Sequence, residues 1–272
     1  MNSVTKHVRL DDIQLFYDVY GDGNTSILCF HGNSRSPEDF KFLANQDRKI
    51  ISIHLFLHGK STFSKERYHR NFIQSKHVEK LLEKILLQEK VANFHWVAYS
   101  QGGRFALCTF PAFAHRVKSL YLLAPDGLKD NSFYSWSQRR WRARKLFKRW
   151  TKKPQELMSL SRILTKLRII HPKLLEFLDF YTSEPERLKM AFKSWSSFRK
   201  MRPSNEEIRE ALKEYPIKFQ LIIGKYDKII PLTSANEFLA EIEQPESLII
   251  LPHGHDLFKP ETESEIMELL DF

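Results

Sequence analysis

Short runs of β-branched and aromatic residues alternate with longer amphipathic stretches through the first 124 residues. Four of these short apolar runs are typical of buried strands, at 26–30, 49–54, 94–99 and 119–124. Apolar residues recur at helical spacing between them, at 72–88 and 101–110. Strands connected by helices predict an α/β fold built on a parallel or mixed sheet.

The chain opens with a different pattern, because apolar and polar residues alternate around 8–10 and 13–20. This second stretch ends at Gly21-Asp22-Gly23. Two alternating stretches predict an antiparallel hairpin at the edge of the sheet. A helix is expected to begin soon after the next strand, with Ser36 as its N-cap and Pro37 in its first turn.

The regular alternation stops after 124 and resumes at Ser204, where capping-box spacing predicts a helix. A strand at 219–224, a helix that begins at Ser234 and a last strand at 248–251 follow. The interruption predicts three segments. These are an N-terminal part of the core (1–126), a mostly helical insertion (127–203) and a C-terminal part of the core (204–272).

A length of 272 residues, with 42% hydrophobic and 28% charged residues, is typical of a globular chain with a substantial apolar core. Collagen-like, low-complexity and wholly disordered chains are excluded. Neither a signal peptide nor a membrane span is indicated by the pattern, so a cytoplasmic protein is expected. Cys29 and Cys108 lie inside apolar runs, which favours buried thiols over a disulfide.

The net charge of +10 is unevenly distributed, since residues 126–203 contain 20 Lys and Arg but only 7 Asp and Glu. The densest part, 137–150, places apolar residues on one side at helical spacing and predicts a basic amphipathic helix. A solvated helix face is the leading interpretation. A guide for anionic substrates and a dock for anionic lipid or nucleic acid are the alternatives. We do not expect nucleic acid to be a partner.

The most informative local sequence is Val97-Ala98-Tyr99-Ser100-Gln101-Gly102-Gly103, where a predicted strand ends and a predicted helix begins. A serine on such a sharp turn needs very small residues two positions to either side, and Ala98 and Gly102 meet this need. Ser100 is therefore a candidate nucleophile. The alternative interpretation is a solvent-facing serine at the start of a helix.

With this motif, the sequence resembles the α/β-hydrolase family over nearly its whole length. Phe30-His31-Gly32-Asn33-Ser34 is similar to the family's His-Gly loop, which follows the third strand. The resemblance implies a mostly parallel central sheet flanked by helices, with 127–203 as an inserted helical cap. It also implies an oxyanion hole formed by the backbone N–H groups of Asn33 and Gln101.

The resemblance also implies a general base and an acid. Gly254-His255, after the last strand, fits the family's histidine, and His253 is the local competitor. Asp227 lies after the strand that ends at 224 and fits the acid, with Asp126 as the alternative. The chain order of Ser100, Asp227 and His255 is the order of this fold.

One loop departs from the family's pattern. The segment from His54 to Ser61 is similar to the family's Asp-x-x-Gly-His-Gly-x-Ser loop, but His54 replaces the usual aspartate and Leu57 the usual glycine. These departures affect the expected conformation of this loop and leave the candidate triad intact. We interpret His58 as a structural residue.

The resemblance implies a serine hydrolase that cleaves a carboxylic ester or related acyl compound through an acyl-enzyme. A C–C bond hydrolase, a thioesterase and an acyltransferase use the same constellation, and a non-catalytic binding module with a basic cap is an alternative from another class. No metal ion or organic cofactor is implied. The expected partner is a small acyl substrate, and a basic cap favours one with a carboxylate or phosphate group. The sequence does not indicate an oligomeric state.

Overall fold

The computed structural model describes residues 3–64, 72–129, 136 and 140–272. Eight strands in the described part form one sheet in the order β1-β2-β4-β3-β5-β6-β7-β8. The strands are β1 (Ser3–Leu10), β2 (Ile13–Tyr20), β3 (Thr25–Phe30), β4 (Arg48–Ile53), β5 (Phe94–Tyr99), β6 (Val117–Leu123), β7 (Lys218–Gly224) and β8 (Leu248–Leu251).

The sheet is antiparallel at one edge and parallel elsewhere. β1 pairs with β2 and β2 with β4 in antiparallel register, whereas the other five pairs are parallel. Every residue of β5 is buried, as is each of the last four residues of β3 and β4. Parallel strands covered on both faces have near-continuous apolar sequences, which is why these runs were identifiable. The predicted α/β fold with a mostly parallel sheet is confirmed.

The described residues also form nine α-helices and three short 3₁₀ helices. The α-helices are α1 (Ser75–Gln88), α2 (Gln101–Phe113), α3 (Trp141–Trp150), α4 (Pro154–Lys166), α5 (Pro172–Thr182), α6 (Pro185–Ser197), α7 (Asn205–Glu214), α8 (Leu232–Glu241) and α9 (Pro260–Leu269). The 3₁₀ helices are Pro37–Leu43, Ala114–Arg116 and Pro245–Ser247.

Several helix boundaries differ from the expected ones. The first predicted helix is a 3₁₀ helix, with Ser36 as its N-cap as expected. The helix predicted from Ser234 begins two residues earlier, because the Pro231 carbonyl already accepts the Ser234 N–H at 2.9 Å. α1 begins at Ser75 rather than at 72, and the sequence analysis did not predict α9. Of the predicted basic helix, 137–139 lie outside the described residues, and α3 begins at Trp141.

The chain divides into two compact units. One consists of Met1–Ser64, Ile73–Lys129 and Met201–Phe272, and the other of Lys65–Phe72 and Asp130–Lys200. The first unit contains the sheet. In the second, α3 to α6 contribute to an apolar cluster of Phe147, Trp150, Leu157, Met158, Leu178 and Leu188. The interpretation of 127–203 as a cap over Ser100 stays a prediction.

No helix within the described ranges is both long enough and apolar enough to cross a membrane. Cys29 and Cys108 are both free thiols, the first buried and the second half-buried.

A buried histidine on the central strand β5 makes the stability of the sheet depend on pH. The His95 side chain places Nδ1 2.7 Å from the Ser119 Oγ on β6. Burial lowers the pKa of His95 from 6.5 to about 4; the cations of Lys118, Arg48 and Lys218 lower it further, and the Asp271 carboxylate opposes them. Below pH 6.5 the unfolded chain binds a proton here that the folded protein does not bind. The free energy of unfolding therefore falls as pH falls from 6.5 to 4.

Replacing this histidine should reduce the loss of stability in acid. We expect the free energy of unfolding of His95→Gln to fall less steeply than that of the wild type between pH 6.5 and pH 4, by up to about 1.4 kcal/mol per pH unit. Urea unfolding at several pH values measures this slope. The control is His115→Gln at an exposed position, which should follow the wild type. Identical slopes for His95→Gln and the wild type would contradict the prediction.

Candidate active site

Ser100 occupies a sharp turn between β5 and α2. Its backbone has φ 47° and ψ −117°, a conformation that residues other than glycine rarely adopt. Its N–H donates to the Leu123 carbonyl at 2.9 Å, and its own carbonyl accepts the N–H groups of Gly103 at 2.9 Å and Asp126 at 2.7 Å. Hydrogen bonds to β6 and to the segment after it therefore hold the turn.

The small residues around Ser100 allow close backbone contacts. A Cβ added to Gly102 would lie 2.3 Å from the Phe30 carbonyl oxygen, and one added to Gly103 would lie 2.2 Å from Pro125 Cβ. Ala98 is fully buried in β5. The start of α2 can thus pack directly against the carboxyl end of β3, as the requirement for small neighbours implied.

Two hydrogen bonds link three of the predicted site residues. Ser100 Oγ lies 3.0 Å from His255 Nε2, and His255 Nδ1 lies 2.7 Å from Asp227 Oδ2. The Asp227 side chain is fully buried, and its Oδ1 accepts the N–H groups of Ile229 and Ile230, each at 2.8 Å. Asp227 follows β7 and His255 follows β8, so all three side chains meet at the carboxyl edge of the parallel strands.

This arrangement determines what the imidazole can do. With the Nδ1–H donating to Asp227, His255 presents the Nε2 lone pair to the Ser100 hydroxyl. The imidazole can therefore accept the serine proton, and the adjacent carboxylate can stabilise the imidazolium that results. A serine hydroxyl activated in this way can act as a nucleophile.

The two competing residues have other partners. Asp126 forms a two-pronged ion pair with Arg104, at 2.8 Å from Nε and 3.0 Å from Nη2. His253 Nε2 lies 2.7 Å from Glu265 Oε2. Asp126 contributes to the site through its backbone N–H, which donates to the Ser100 carbonyl. The Ser100 hydroxyl has its hydrogen bond with His255, and the side chains of Asp126 and His253 have these other partners.

The loop after β3 lies directly against Ser100. A Cβ on Gly32 would lie 3.1 Å from Ser100 Cβ and 2.8 Å from the Tyr99 ring. Asn33 is the next residue and is half-buried. Gln101 is the first residue of α2, so its N–H has no acceptor within the helix and lies at the positive end of the helix dipole. Gly32 and Ser100 pack against each other, and Asn33 and Gln101 are the residues that directly follow them.

Two histidines, the buried His31 of this loop and the half-buried His58, stay neutral at pH 7. Burial lowers the pKa of His31 to about 3 and that of His58 to about 4. The His31 Nδ1–H donates to the Gly32 carbonyl at 2.8 Å, and its Nε2 accepts the Leu55 N–H at 3.0 Å. His58 hydrogen-bonds to the Gln101 side chain. These contacts connect the segment after β4 to the loop that carries Asn33.

The departures from the family's loop pattern have a structural explanation. Leu57 has φ 72°, a left-handed conformation that glycine adopts without strain. His54 Nε2 lies 3.1 Å from Asp18 Oδ2 on β2. A Cβ on Gly59 would lie 2.7 Å from His54 Nδ1, so this glycine leaves room for the imidazole. The loop thus keeps a left-handed residue where glycine is usual.

Sequence reasoning missed two residues that hold the His255 loop. The Tyr99 hydroxyl donates to the His255 carbonyl at 3.0 Å, and its ring centroid lies 5.6 Å from that of His255. Arg35 donates to the Phe258 carbonyl at 2.8 Å and to Asp256 Oδ1 at 3.4 Å. For Tyr99, the one signal in the sequence is its position next to Ser100. No local motif marks Arg35.

Among the described residues, no group of three or more His, Cys, Asp or Glu side chains could hold a metal ion.

Comparisons with known proteins agree with this architecture. The model of the alpha/beta hydrolase fold family matches residues 25–262. A search of curated proteins gave no match. Similar solved structures include a thioesterase domain from the curacin biosynthetic pathway, with 16% identity, a TM-score of 0.61 and coverage of 99% of both chains.

Two further solved structures are similar at the same level. One is described among carboxylesterases of the ammonia-oxidizing thaumarchaeon Nitrososphaera gargenis, with 13% identity, a TM-score of 0.62 and coverage of 97% of this chain and 96% of the other. The other is a meta-cleavage product hydrolase from Pseudomonas fluorescens IP01, with 14% identity, a TM-score of 0.59 and coverage of 97% and 95%. Identities this low establish a shared fold and leave the reaction open.

The close approach at Gly102 leads to a stability prediction. In Gly102→Ala the new methyl group meets the Phe30 backbone, which cannot rotate away, so we expect a loss of about 1–3 kcal/mol in the free energy of unfolding. The matched control is Gly254→Ala, where the nearest atom to the new methyl group is the Tyr226 carbonyl oxygen at 4.0 Å. Urea unfolding measures both variants, and equal stability of the two would contradict the prediction.

Proposed function

The chain belongs to the alpha/beta hydrolase fold family, and from this premise we propose that it is a serine hydrolase. Its substrate is a carboxylic ester or a related small acyl compound, which it cleaves through an acyl-enzyme. The observation that carries the proposal is the pair of hydrogen bonds from Ser100 to His255 (3.0 Å) and from His255 to Asp227 (2.7 Å).

In the proposed mechanism, Ser100 Oγ attacks the carbonyl carbon of the bound ester. His255 Nε2 takes the hydroxyl proton during the attack, and the same proton passes to the leaving alcohol when the C–O bond breaks. Asp227 keeps the imidazole in its Nδ1–H tautomer and stabilises the imidazolium. Its own orientation is supported by the two backbone N–H groups that bind Oδ1. Water then attacks the acyl-enzyme, with His255 again as the base.

The oxyanion that forms at the substrate carbonyl is stabilised by hydrogen-bond donors that are positioned before the reaction begins. We assign this role to the backbone N–H groups of Asn33 and Gln101. The contact of Gly32 with Ser100 and the position of Gln101 at the start of α2 support it. Each such donor can contribute about 10²- to 10³-fold to the rate. The side chains of Asn33 and Gln101 are not required for this step.

An ester is the simplest substrate for this group of residues. The alkoxide leaving group needs one proton, which His255 carries after the attack by Ser100. C–C bond hydrolysis, thioester cleavage and acyl transfer could use the same residues, and they stay as alternatives. A preference for anionic acyl compounds also stays a prediction, since it rests on the charge of residues 126–203 alone. The hydrogen-bonded set supports catalysis over a binding module, which would not need it.

Covalent labelling tests the assignment of the nucleophile. A fluorophosphonate probe should label the wild-type protein but not Ser100→Ala, because the probe reacts with an activated serine. The rate of p-nitrophenyl ester hydrolysis should fall at least about 10³-fold in Ser100→Ala and in His255→Ala. Ser247→Ala, which replaces a half-buried serine at the end of the short helix Pro245–Ser247, is the control and should label normally.

Either of two results would overturn this assignment. Equal labelling of Ser100→Ala would show that another residue is the nucleophile. A folded wild-type protein that neither labels nor hydrolyses any ester would instead favour the binding module.

A pair of carboxylate variants tests which acid orients the imidazole. We expect Asp227→Asn to lower kcat by about 10³- to 10⁴-fold, because an amide no longer fixes the Nδ1–H tautomer. Asp126→Asn keeps the backbone N–H that binds Ser100 but weakens the ion pair with Arg104, so a lower Tm and a much smaller loss of kcat are expected. Ester hydrolysis and thermal unfolding separate the two effects. A larger loss of kcat in Asp126→Asn would transfer the acid role to Asp126.

A further inference from the structure

Helix α4 has apolar side chains on two faces, and only one of them is packed. Leu157 and Met158 are buried in the apolar cluster of the second unit. Leu160 and Ile163 on the helix and Leu167 at its C-cap are exposed, at 41%, 57% and 63% of their full surface. Their spacing of three and four residues places them one above the other on the same side of the helix. Exposed apolar residues grouped in this way are typical of an interaction surface.

The turn after α4 adds a fourth aliphatic side chain. Arg168 has φ 57°, and its N–H donates to the Thr165 carbonyl at 2.9 Å, while the Ile169 N–H donates to the Leu164 carbonyl at 2.9 Å. These two bonds form a Schellman motif, the hydrogen-bonded end of a helix. Ile169, which is 65% exposed, is therefore held in a defined position beside the helix end.

Three cations alternate with these aliphatic side chains. Arg162, Lys166 and Arg168 are all exposed, and the sequence contains no Asp or Glu between 157 and 175. Among the ion pairs formed within the described residues, none includes these three side chains. We define the α4 ridge by its seven exposed residues, Leu160, Arg162, Ile163, Lys166, Leu167, Arg168 and Ile169.

We propose that the α4 ridge docks on the surface of a membrane that contains anionic phospholipid. Aliphatic side chains lose their contact with water when they enter the boundary between headgroups and acyl chains. The charged ends of the arginine and lysine side chains beside them can reach the lipid phosphates and stay hydrated there. A helix that docks in this way lies along the surface and does not cross the bilayer.

The charge of the surrounding segment supports an anionic surface as the partner. Residues 126–203 carry 20 Lys and Arg against 7 Asp and Glu. Such a segment attracts an anionic membrane over a distance set by the ionic strength. Nucleic acid would complement the charge, but it offers no apolar region for four aliphatic side chains. The combination of cations and aliphatic residues favours lipid.

Vesicle sedimentation tests this surface without reference to catalysis. We expect the wild-type protein to sediment with vesicles of phosphatidylcholine and phosphatidylserine, and much less with vesicles of phosphatidylcholine alone. Replacing Ile163 and Leu167 with Ser, or Arg162, Lys166 and Arg168 with Gln, should weaken binding to the mixed vesicles at least about tenfold. Binding should also weaken as salt is raised.

Matched variants elsewhere in the chain distinguish a specific role of the α4 ridge from a general loss of apolar surface or positive charge. Leu87 and Val4 are 77% and 55% exposed, so replacing both with Ser removes comparable apolar surface. Replacing the exposed residues Lys80, Lys84 and Lys90 with Gln removes the same three charges. Both controls should bind like the wild type. Far-UV circular dichroism and thermal unfolding check that each variant is folded.

Three outcomes would overturn the proposal. The first is an absence of wild-type binding to the mixed vesicles, including the case in which the protein binds double-stranded DNA instead. The second is equal weakening by the ridge variants and their controls, which would show a nonspecific effect of charge or apolar surface. The third is unchanged binding by folded ridge variants. Each result leaves the labelling of Ser100 unaffected, so the two proposals fail independently.

Discussion

The left-handed backbone conformation of Ser100 is the constraint on which the candidate site depends. A residue with a Cβ is strained there by about 1–2 kcal/mol, so the surrounding structure must hold the turn. It does so through the hydrogen bond to the Leu123 carbonyl and the two bonds to the Ser100 carbonyl. The same turn brings Gly102 against the Phe30 carbonyl. One strained residue thus fixes β5, α2 and the loop after β3 together, and the hydroxyl is left pointing at the histidine loop.

The sequence could predict the elements that meet at this turn but not every contact between them. Buried parallel strands have continuous apolar runs, so β5 was found with its observed bounds. The choice of acid was harder, because Asp126 and Asp227 both follow strands that end at the same edge of the sheet. The two carboxylates differ in their partners, since Asp227 lies against His255 whereas Asp126 pairs with Arg104 near the start of α2. These partners lie far away along the chain, so the sequence alone did not show them.

The loop after β4 shows why a departure from a motif is difficult to interpret from sequence. Glycine is favoured at the position of Leu57 because the backbone is left-handed, yet the loop keeps that conformation with a leucine. The contacts around it are supplied from a distance. His54 pairs with Asp18 on β2, and His31 binds the Leu55 N–H from the neighbouring loop. No spacing rule along the chain relates these residues, so their pairing could not be predicted.

Helix α4 shows that apolar periodicity predicts a helix but not which of its apolar residues are buried. Apolar residues at 157, 158, 160 and 163 all fit a helical repeat, and a pattern alone would assign them to one core. The packing of the second unit buries Leu157 and Met158 and leaves Leu160 and Ile163 in water. Burial depends on which neighbours approach each side of the helix, and a one-dimensional repeat does not contain this information. An apolar residue therefore indicates a surface that must be covered, while the three-dimensional packing decides whether the protein covers it or offers it to a partner.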